Sequence, residues 1–193
     1  MTKFLRKIFS NFMSKVGGQV ALLGIHPNTI TLIGVLGNCL AAGFIANGNL
    51  ICGGIIGLFS GLMDALDGAV SRAEGTPNRF GSLIDSVSDR YSEIFIYFGL
   101  LFYTLNQNDH TGIILVFTAL SGSILVSYVR ARAESLNVEC KVGIMTRLER
   151  FLVTIVLLLS GFVHFGLIII SILSHITAFY RMYHVWRQLE KTE

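Results

Sequence analysis

Apolar segments, each about as long as a membrane-spanning helix, follow one another along almost the whole chain. A helix needs about 20 mostly apolar residues to cross the hydrocarbon core of a bilayer. The 193-residue sequence predicts six of them, at residues 29–47, 50–72, 81–104, 111–132, 148–163 and 165–187. Only 14% of the residues are charged and the mean hydropathy is +0.64, which excludes an ordinary soluble globule. We therefore expect an all-α integral membrane bundle of six transmembrane helices.

The positive charges fall on one side of this six-span arrangement. All 15 Lys and Arg residues lie before the first segment, around the loops after the second and fourth segments, or near the end of the sixth. Since short cytoplasmic loops collect positive charge, we expect both termini on the cytoplasmic side of the cell (inner) membrane. Residues 1–24 combine basic residues with apolar residues at helical spacing, which predicts an amphipathic helix on the bilayer surface. The predicted membrane domain is then 25–193.

Two of the apolar segments contain aspartates, which are costly inside a bilayer, at about 2.5–3.5 kcal/mol for an Asp at a helix centre. Asp64 and Asp67 are three residues apart, so they share one helix face. Asp85 and Asp89 are four residues apart and also share a face. A short loop at 72–80 predicts antiparallel neighbouring helices, with both pairs near the lipid head groups. Because clustered carboxylates bind hard divalent cations, the pattern predicts one or two Mg²⁺ or Mn²⁺ ions.

The run DALDGAVSR at 64–72 is followed, after eight residues, by Gly81 and then by Asp85 and Asp89 at intervals of four. This pattern resembles the signature of the CDP-alcohol phosphotransferase family, D-x-x-D-G-x-x-A-R, eight residues, then G-x-x-x-D-x-x-x-D. The one departure is Ser71, where the family usually has Ala. The resemblance implies an enzyme that transfers a phosphatidyl group from CDP-diacylglycerol with release of CMP, using two metal ions.

The resemblance also implies individual roles. Asp64, Asp67 and Asp85 would be metal ligands, and Asp89 would be the catalytic base and a contact of the second ion. The residues that would bind the CDP group are Asn28, Thr29, Ile30, Thr31, Gly68, Arg72 and Asn78. Since many members of the family are homodimers, we expect a homodimer in a lipid bilayer, and we expect no nucleic-acid partner.

Five arginines lie near the predicted cytoplasmic ends of the later segments: Arg130, Arg132, Arg147, Arg150 and Arg181. The positive-inside rule would by itself explain any one of them. As a group they favour an anionic acceptor such as a sugar or polyol phosphate, because planar guanidinium groups suit a phosphate.

The residues around these arginines resemble segments of phosphatidylinositol phosphate synthases. The segments are SYVRARAE at 127–134, LER at 148–150 and RMYHVW at 181–186. This resemblance implies inositol 1-phosphate as the acceptor, with its phosphate held by the arginines. The alternatives within the family are glycerol 3-phosphate, the acceptor of phosphatidylglycerolphosphate synthases, and the different acceptor of another CDP-alcohol phosphotransferase. An ion transporter is the alternative outside it, because intramembrane acids also mark cation pathways.

Overall fold

A computed structural model describes residues 3–74 and 79–191, with side chains from residue 13 onward except for residue 74. Within these residues the chain forms seven α-helices and no strand. The helices are α1 (Lys3–Leu22), α2 (Pro27–Ala46), α3 (Leu50–Glu74), α4 (Arg79–Asn106), α5 (His110–Ser135), α6 (Arg147–Ser160) and α7 (Val163–Leu189). Helices α2 to α7 match the six predicted segments to within three residues at every end.

Residues with special backbone properties separate the helices. Pro27 opens α2, where its missing N–H has no intrahelical partner to lose. Gly48 turns the chain between α2 and α3 with a φ of 84°. Gly161 ends α6 in the left-handed conformation, with a φ of 75°. The side chain of Asp109 accepts a hydrogen bond from the Gly112 amide at 3.0 Å and so caps α5.

Helix α2 packs against both α3 and α4, while α5 packs against α7. The backbones of α2 and α4 come very close at Gly99, where an added Cβ would lie 2.7 Å from the carbonyl oxygen of Ala42. The buried apolar core is formed by α2, α4, α5, α6 and α7, and partly buried side chains of α3 pack against it. It includes Ile45, Leu100, Leu157, Leu158, Leu167 and Ile170. The short loop at 72–80 predicts that α3 and α4 pack directly against each other. Instead, each of these two helices packs against α2.

Four of the described helices are long and apolar enough to cross a membrane: Pro27–Ala46, Leu50–Ala73, His110–Ser135 and Val163–Leu189. Helix α6 has only 14 residues, which corresponds to about 21 Å at a rise of about 1.5 Å per residue. Helix α4 carries several charges in its first half. Large apolar side chains cover the outside of the bundle; Phe117 and Phe179, for example, are 70% and 67% exposed. Such a surface suits a membrane protein, because lipid tails replace water around it.

Helix α1 packs against α3. Met13 and Gly17 are buried, and a Cβ added at Gly17 would lie 2.7 Å from the Cβ of Ala69. The absence of a side chain therefore lets α1 approach α3 closely. Most of the residues on which the amphipathic pattern depends precede residue 13, so that prediction lies outside the described side chains.

Candidate metal and substrate site

Three aspartates from two helices meet at one place. Asp64 and Asp67 come from α3 and Asp85 comes from α4, and one carboxylate oxygen of each lies within 4.8 Å of the others. Because i, i+3 spacing places Asp64 and Asp67 on one face of α3, both reach the side that Asp85 approaches from α4. The convergence predicted from spacing is thus present in the fold.

Thr31 of α2 also reaches this group of aspartates. Its hydroxyl lies 2.5 Å from Oδ2 of Asp67, and both side chains are buried. Asp67 is only 4% exposed, so this hydrogen bond replaces much of the water that the carboxylate has lost. The start of α2 is thereby tied to the aspartates, although Thr31 and Asp67 are 36 residues apart in sequence.

The fourth aspartate, Asp89, lies beside the other three and is paired with arginines. It is 8% exposed, and its Oδ2 lies 3.3 Å from Nη2 of Arg90. Its Oδ1 contacts Nη2 of Arg147, the first residue of α6. The same Arg147 nitrogen donates to Oδ1 of Asp64 at 2.8 Å. Arg147 therefore bridges the two aspartate-bearing helices.

A cavity of about 70 Å³ opens beside Asp64 and Asp89, with walls from α2, α3, α4 and α6. Part of its lining is polar, from Asn38, Ser60, Glu93 and Thr154, and part is apolar, from Val35, Phe151, Ile155 and Leu158. Gly61 belongs to the wall, and an added Cβ there would collide with the ring of Phe151. The cavity thus has a charged end and an apolar side.

Arg150 and Glu93 form a buried pair next to this cavity. The Arg150 side chain is 1% exposed and its Nε donates to Glu93 Oε1 at 2.9 Å. The guanidinium also donates to the carbonyl oxygen of Met145 at 3.2 Å and to the hydroxyl of Ser127 at 3.3 Å. The sequence by itself does not distinguish whether Glu93 is a helix contact or a group behind the aspartates. The fold makes it the counter-ion of Arg150.

The other three candidate arginines lie beyond the aspartates. Arg130 pairs with Glu134 at 2.9 Å, and Arg132 donates to the hydroxyl of Ser135 at 3.3 Å. Arg181 is 3% exposed and donates to two backbone carbonyl oxygens, of Val126 at 2.6 Å and of Val142 at 2.8 Å. Arg130 and Arg150 lie near enough to Arg181 to repel its charge, and Glu134 lies near enough to attract it. Arg147 faces the aspartates instead.

The family model for CDP-alcohol phosphatidyltransferases matches residues 24–180, which include the aspartates and Arg147. The chain belongs to the CDP-alcohol phosphatidyltransferase family. It is 35% identical over 196 residues to archaetidylinositol phosphate synthase of Methanothermobacter thermautotrophicus, an alignment that covers 98% of this chain and 96% of the relative. Family membership makes the protein a transferase and removes support for the ion-transporter alternative.

Two solved structures of a family member have the same fold. Phosphatidylinositol phosphate synthase of Mycobacterium tuberculosis with CDP-DAG bound matches with a TM-score of 0.84 and 27% identity, covering 91% of this chain and 94% of the mycobacterial chain. The same enzyme in complex with manganese and citrate matches with a TM-score of 0.80 and 26% identity, covering 90% and 88%.

The donor atoms at the aspartates suit a divalent metal ion, such as the manganese in the second mycobacterial structure. Carboxylate oxygens are hard ligands, and three of them within 4.8 Å of one another can share one ion. The guanidinium of Arg147 between Asp64 and Asp89 shows that the site attracts a cation. The chemistry and charge of this site therefore fit a divalent metal ion.

Two parts of the described chain carry residues implied in CDP binding, the start of α2 and the end of α3. Thr31 contacts Asp67 directly, and the neighbouring Asn28, Thr29 and Ile30 form the first turn of α2 with it. Gly68 follows Asp67, and a Cβ added there would lie 3.3 Å from Nη1 of Arg72. The guanidinium of Arg72 therefore lies over Gly68. Asn78 lies outside the described residues.

Proposed function

We propose that this protein transfers the phosphatidyl group of CDP-diacylglycerol to a hydroxyl of inositol 1-phosphate, giving phosphatidylinositol phosphate and CMP. The observation that carries the proposal is the convergence of three aspartates from α3 and α4 beside Asp89 and a mostly apolar cavity. The names of the relatives support the acceptor, since the archaeal and the mycobacterial proteins are both named inositol phosphate lipid synthases.

Asp64, Asp67 and Asp85 would hold Mg²⁺, with Mn²⁺ as a substitute and Asp89 as a contact of a second ion. The metal ions would neutralise the charge on the diphosphate and on the departing CMP. The hydrogen bond from Thr31 keeps the Asp67 carboxylate in place. Two metal ions per site agree with four carboxylates, whose charges balance two divalent cations.

Asp89 is proposed to be the general base. The acceptor hydroxyl oxygen would attack the phosphorus that carries the diacylglycerol, and the bond from that phosphorus to the CMP oxygen would break. The hydroxyl proton would pass to Asp89, and CMP would leave with the bonding electron pair. Asp89 is buried, and ion pairs with Arg90 and Arg147 hold its carboxylate in place. Its position relative to Asp64 is therefore well defined.

We propose that the CDP group binds at the start of α2 and at the end of α3. The residues involved would be Asn28, Thr29, Ile30, Thr31, Gly68, Arg72 and Asn78. The contact of Thr31 with Asp67 supports this assignment, because it brings the start of α2 to the metal-site aspartates. The exposed Arg72 would add a positive charge for the diphosphate.

We propose that the acceptor phosphate binds among Arg130, Arg132, Arg147, Arg150 and Arg181. The electrostatic proximity of Arg130 and Arg150 to Arg181 supports an anion site there. The charge of Arg150 is largely offset by Glu93, so its contribution would be a fixed guanidinium at the wall of the site. Arg130 and Arg132 are exposed and can turn toward an incoming phosphate.

The proposed arrangement in the membrane is a single domain at 25–193 with six spans, preceded by an interfacial helix at 1–24. Helices α4 and α6 would supply the two spans beyond the four that length and composition support. Both termini and the active site would lie on the cytoplasmic side of the inner membrane, since the basic residues lie at the same end of the helix bundle as these parts. The protein would act as a homodimer.

The test is a substrate screen with the purified protein, Mg²⁺ and CDP-diacylglycerol. We expect CMP release and a phosphorylated inositol lipid with inositol 1-phosphate, and much lower rates with glycerol 3-phosphate, inositol or serine. A preference for glycerol 3-phosphate would move the protein to the phosphatidylglycerolphosphate synthases. A preference for an acceptor without a phosphate would refute the proposed arginine site and leave the metal site standing.

Asp89→Asn tests the assignment of the base. We expect turnover to fall by at least about 100-fold, because a positioned general base contributes about 10² to 10⁴ in rate. Binding of CDP-diacylglycerol, measured by equilibrium dialysis of the labelled lipid in detergent, should remain. Unchanged turnover would remove Asp89 from the role of base.

A further inference from the structure

Arg147 occupies an unusual position for a residue expected to meet the acceptor. Its Nη2 donates to Oδ1 of Asp64 at 2.8 Å and also contacts Oδ1 of Asp89. Asp64 is at the same time one of the three carboxylates that meet within 4.8 Å. The same carboxylate therefore belongs to an ion pair and to the proposed metal-binding group.

We propose that Arg147 competes with the divalent metal ion for Asp64 and Asp89, so that the ion binds fully only when the guanidinium moves away. The proposal rests on the metal site of the proposed function. A guanidinium held against Asp64 takes up acceptor capacity of that carboxylate and places a positive charge beside the ion's position. A guanidinium and a divalent ion that contact the same carboxylate repel each other strongly in a partly buried site.

The position of Arg147 in the fold suits a group that leaves and returns. It is the first residue of α6, so the helix continues on only one side of it and a non-helical segment precedes it. Its side chain is 44% exposed, whereas that of Asp89 is 9% exposed. The long arginine side chain can therefore move toward solvent while the aspartate remains fixed by α4.

The ion pair also has a purpose in the assembly of the site. Several carboxylates at short range repel one another unless a cation lies between them. Arg147 supplies that cation and joins α3 to α4 and α6 through Asp64 and Asp89. The arginine thus holds the aspartates together and sets a threshold concentration for the metal ion that replaces it.

The experiment is a Mn²⁺ titration of the purified protein in detergent, with free Mn²⁺ followed by electron paramagnetic resonance. Arg147→Gln removes the competing charge, and we expect its Kd for Mn²⁺ to be at least about 5-fold lower than that of the wild type. Arg147→Lys keeps the charge but loses the planar fork, so an intermediate Kd is expected. No catalytic turnover is needed for this measurement.

Arg90→Gln is the matched control. This substitution also removes an arginine from Asp89, since Nη2 of Arg90 lies 3.3 Å from Oδ2 of Asp89. Asp64 keeps its ion pair with Arg147. We expect it to change the Kd by about 2-fold or less, as for other partly exposed ion pairs. Size-exclusion profiles of all variants should match the wild type, since both arginines have partly exposed side chains.

An unchanged or higher Kd in Arg147→Gln would overturn the competition while leaving the metal site intact. Equal tightening in Arg90→Gln and Arg147→Gln would also overturn it, because the effect would then be one of general charge. If neither the wild type nor the variants bound Mn²⁺, the proposed metal site itself would be refuted together with the competition.

Discussion

The buried pair of Arg150 and Glu93 allows a quantitative test of what holds the site together. The Arg150 side chain is 1% exposed and that of Glu93 is 18% exposed, so the guanidinium has almost no access to water as a substitute partner. In Glu93→Gln the amide oxygen can still accept the hydrogen bond from Nε, but the counter-charge is lost. Removing one partner of a buried ion pair destabilises a protein by about 3–5 kcal/mol.

We expect Glu93→Gln near the lower end of that range, at about 3 kcal/mol, because the amide keeps one hydrogen bond and Ser127 and Met145 still accept from Arg150. For a domain of this size, 1 kcal/mol changes Tm by about 2–4 °C, so Tm should fall by about 6–12 °C. The assay is thermal unfolding in detergent, followed by circular dichroism.

The control for this prediction is Glu134→Gln. Glu134 pairs with Arg130 at 2.9 Å, but the two side chains are 56% and 50% exposed. Exposed i, i+4 pairs contribute about 0.3–0.5 kcal/mol, so Tm should change by about 2 °C or less. The double variant Glu93→Gln with Arg150→Met should be more stable than Glu93→Gln alone. Equal Tm changes in Glu93→Gln and Glu134→Gln would refute the argument that burial makes the Arg150 pair strong.

Two further substitutions test the contacts that shape the site. Thr31→Val removes the hydroxyl that hydrogen-bonds Asp67, and we expect about 10-fold weaker Mn²⁺ binding. Thr31→Ser keeps the hydroxyl and should bind Mn²⁺ about as well as the wild type. Equal Kd values for the Val and Ser variants would contradict the role of the hydroxyl. Gly99→Ala should destabilise the fold by about 1–3 kcal/mol, because the added Cβ would lie 2.7 Å from the Ala42 carbonyl oxygen. Gly43→Ala, with no atom within 4 Å of the added Cβ, should leave thermal unfolding unchanged or slightly raise Tm. Similar Tm values for the Gly99 and Gly43 variants would contradict the close approach of α2 and α4.

Helix positions and the aspartate group were predictable from the sequence because both signals are local. A segment of about 20 apolar residues has to form a helix in a bilayer, where every backbone polar group needs an internal partner. The four aspartates stand out because each is costly in such a segment, and spacing of three or four residues places a pair on one face. The predicted fifth segment, 148–163, runs past Gly161, which ends α6 in the left-handed conformation.

The partners of the arginines were not predictable in the same way. The sequence predicts both Arg147 and Arg150 as phosphate contacts because both lie near the predicted cytoplasmic ends of the later segments. The fold sends Arg147 to Asp64, 83 residues away, and Arg150 to Glu93, 57 residues away. Residues three apart share one helix face, so the spacing within α6 does not tell which distant acid pairs with which of these two arginines.

The sequence alone therefore determined that this chain forms membrane helices with an acidic metal-binding motif, since these properties depend on composition and on spacing within one helix. Only the tertiary structure decided which cation neutralises each acid and that α2 lies against both α3 and α4, bringing Thr31 to Asp67. The physical reason is that such contacts depend on how helices distant in sequence are packed. Neither helical spacing nor the cost of a buried charge specifies which helix supplies the partner.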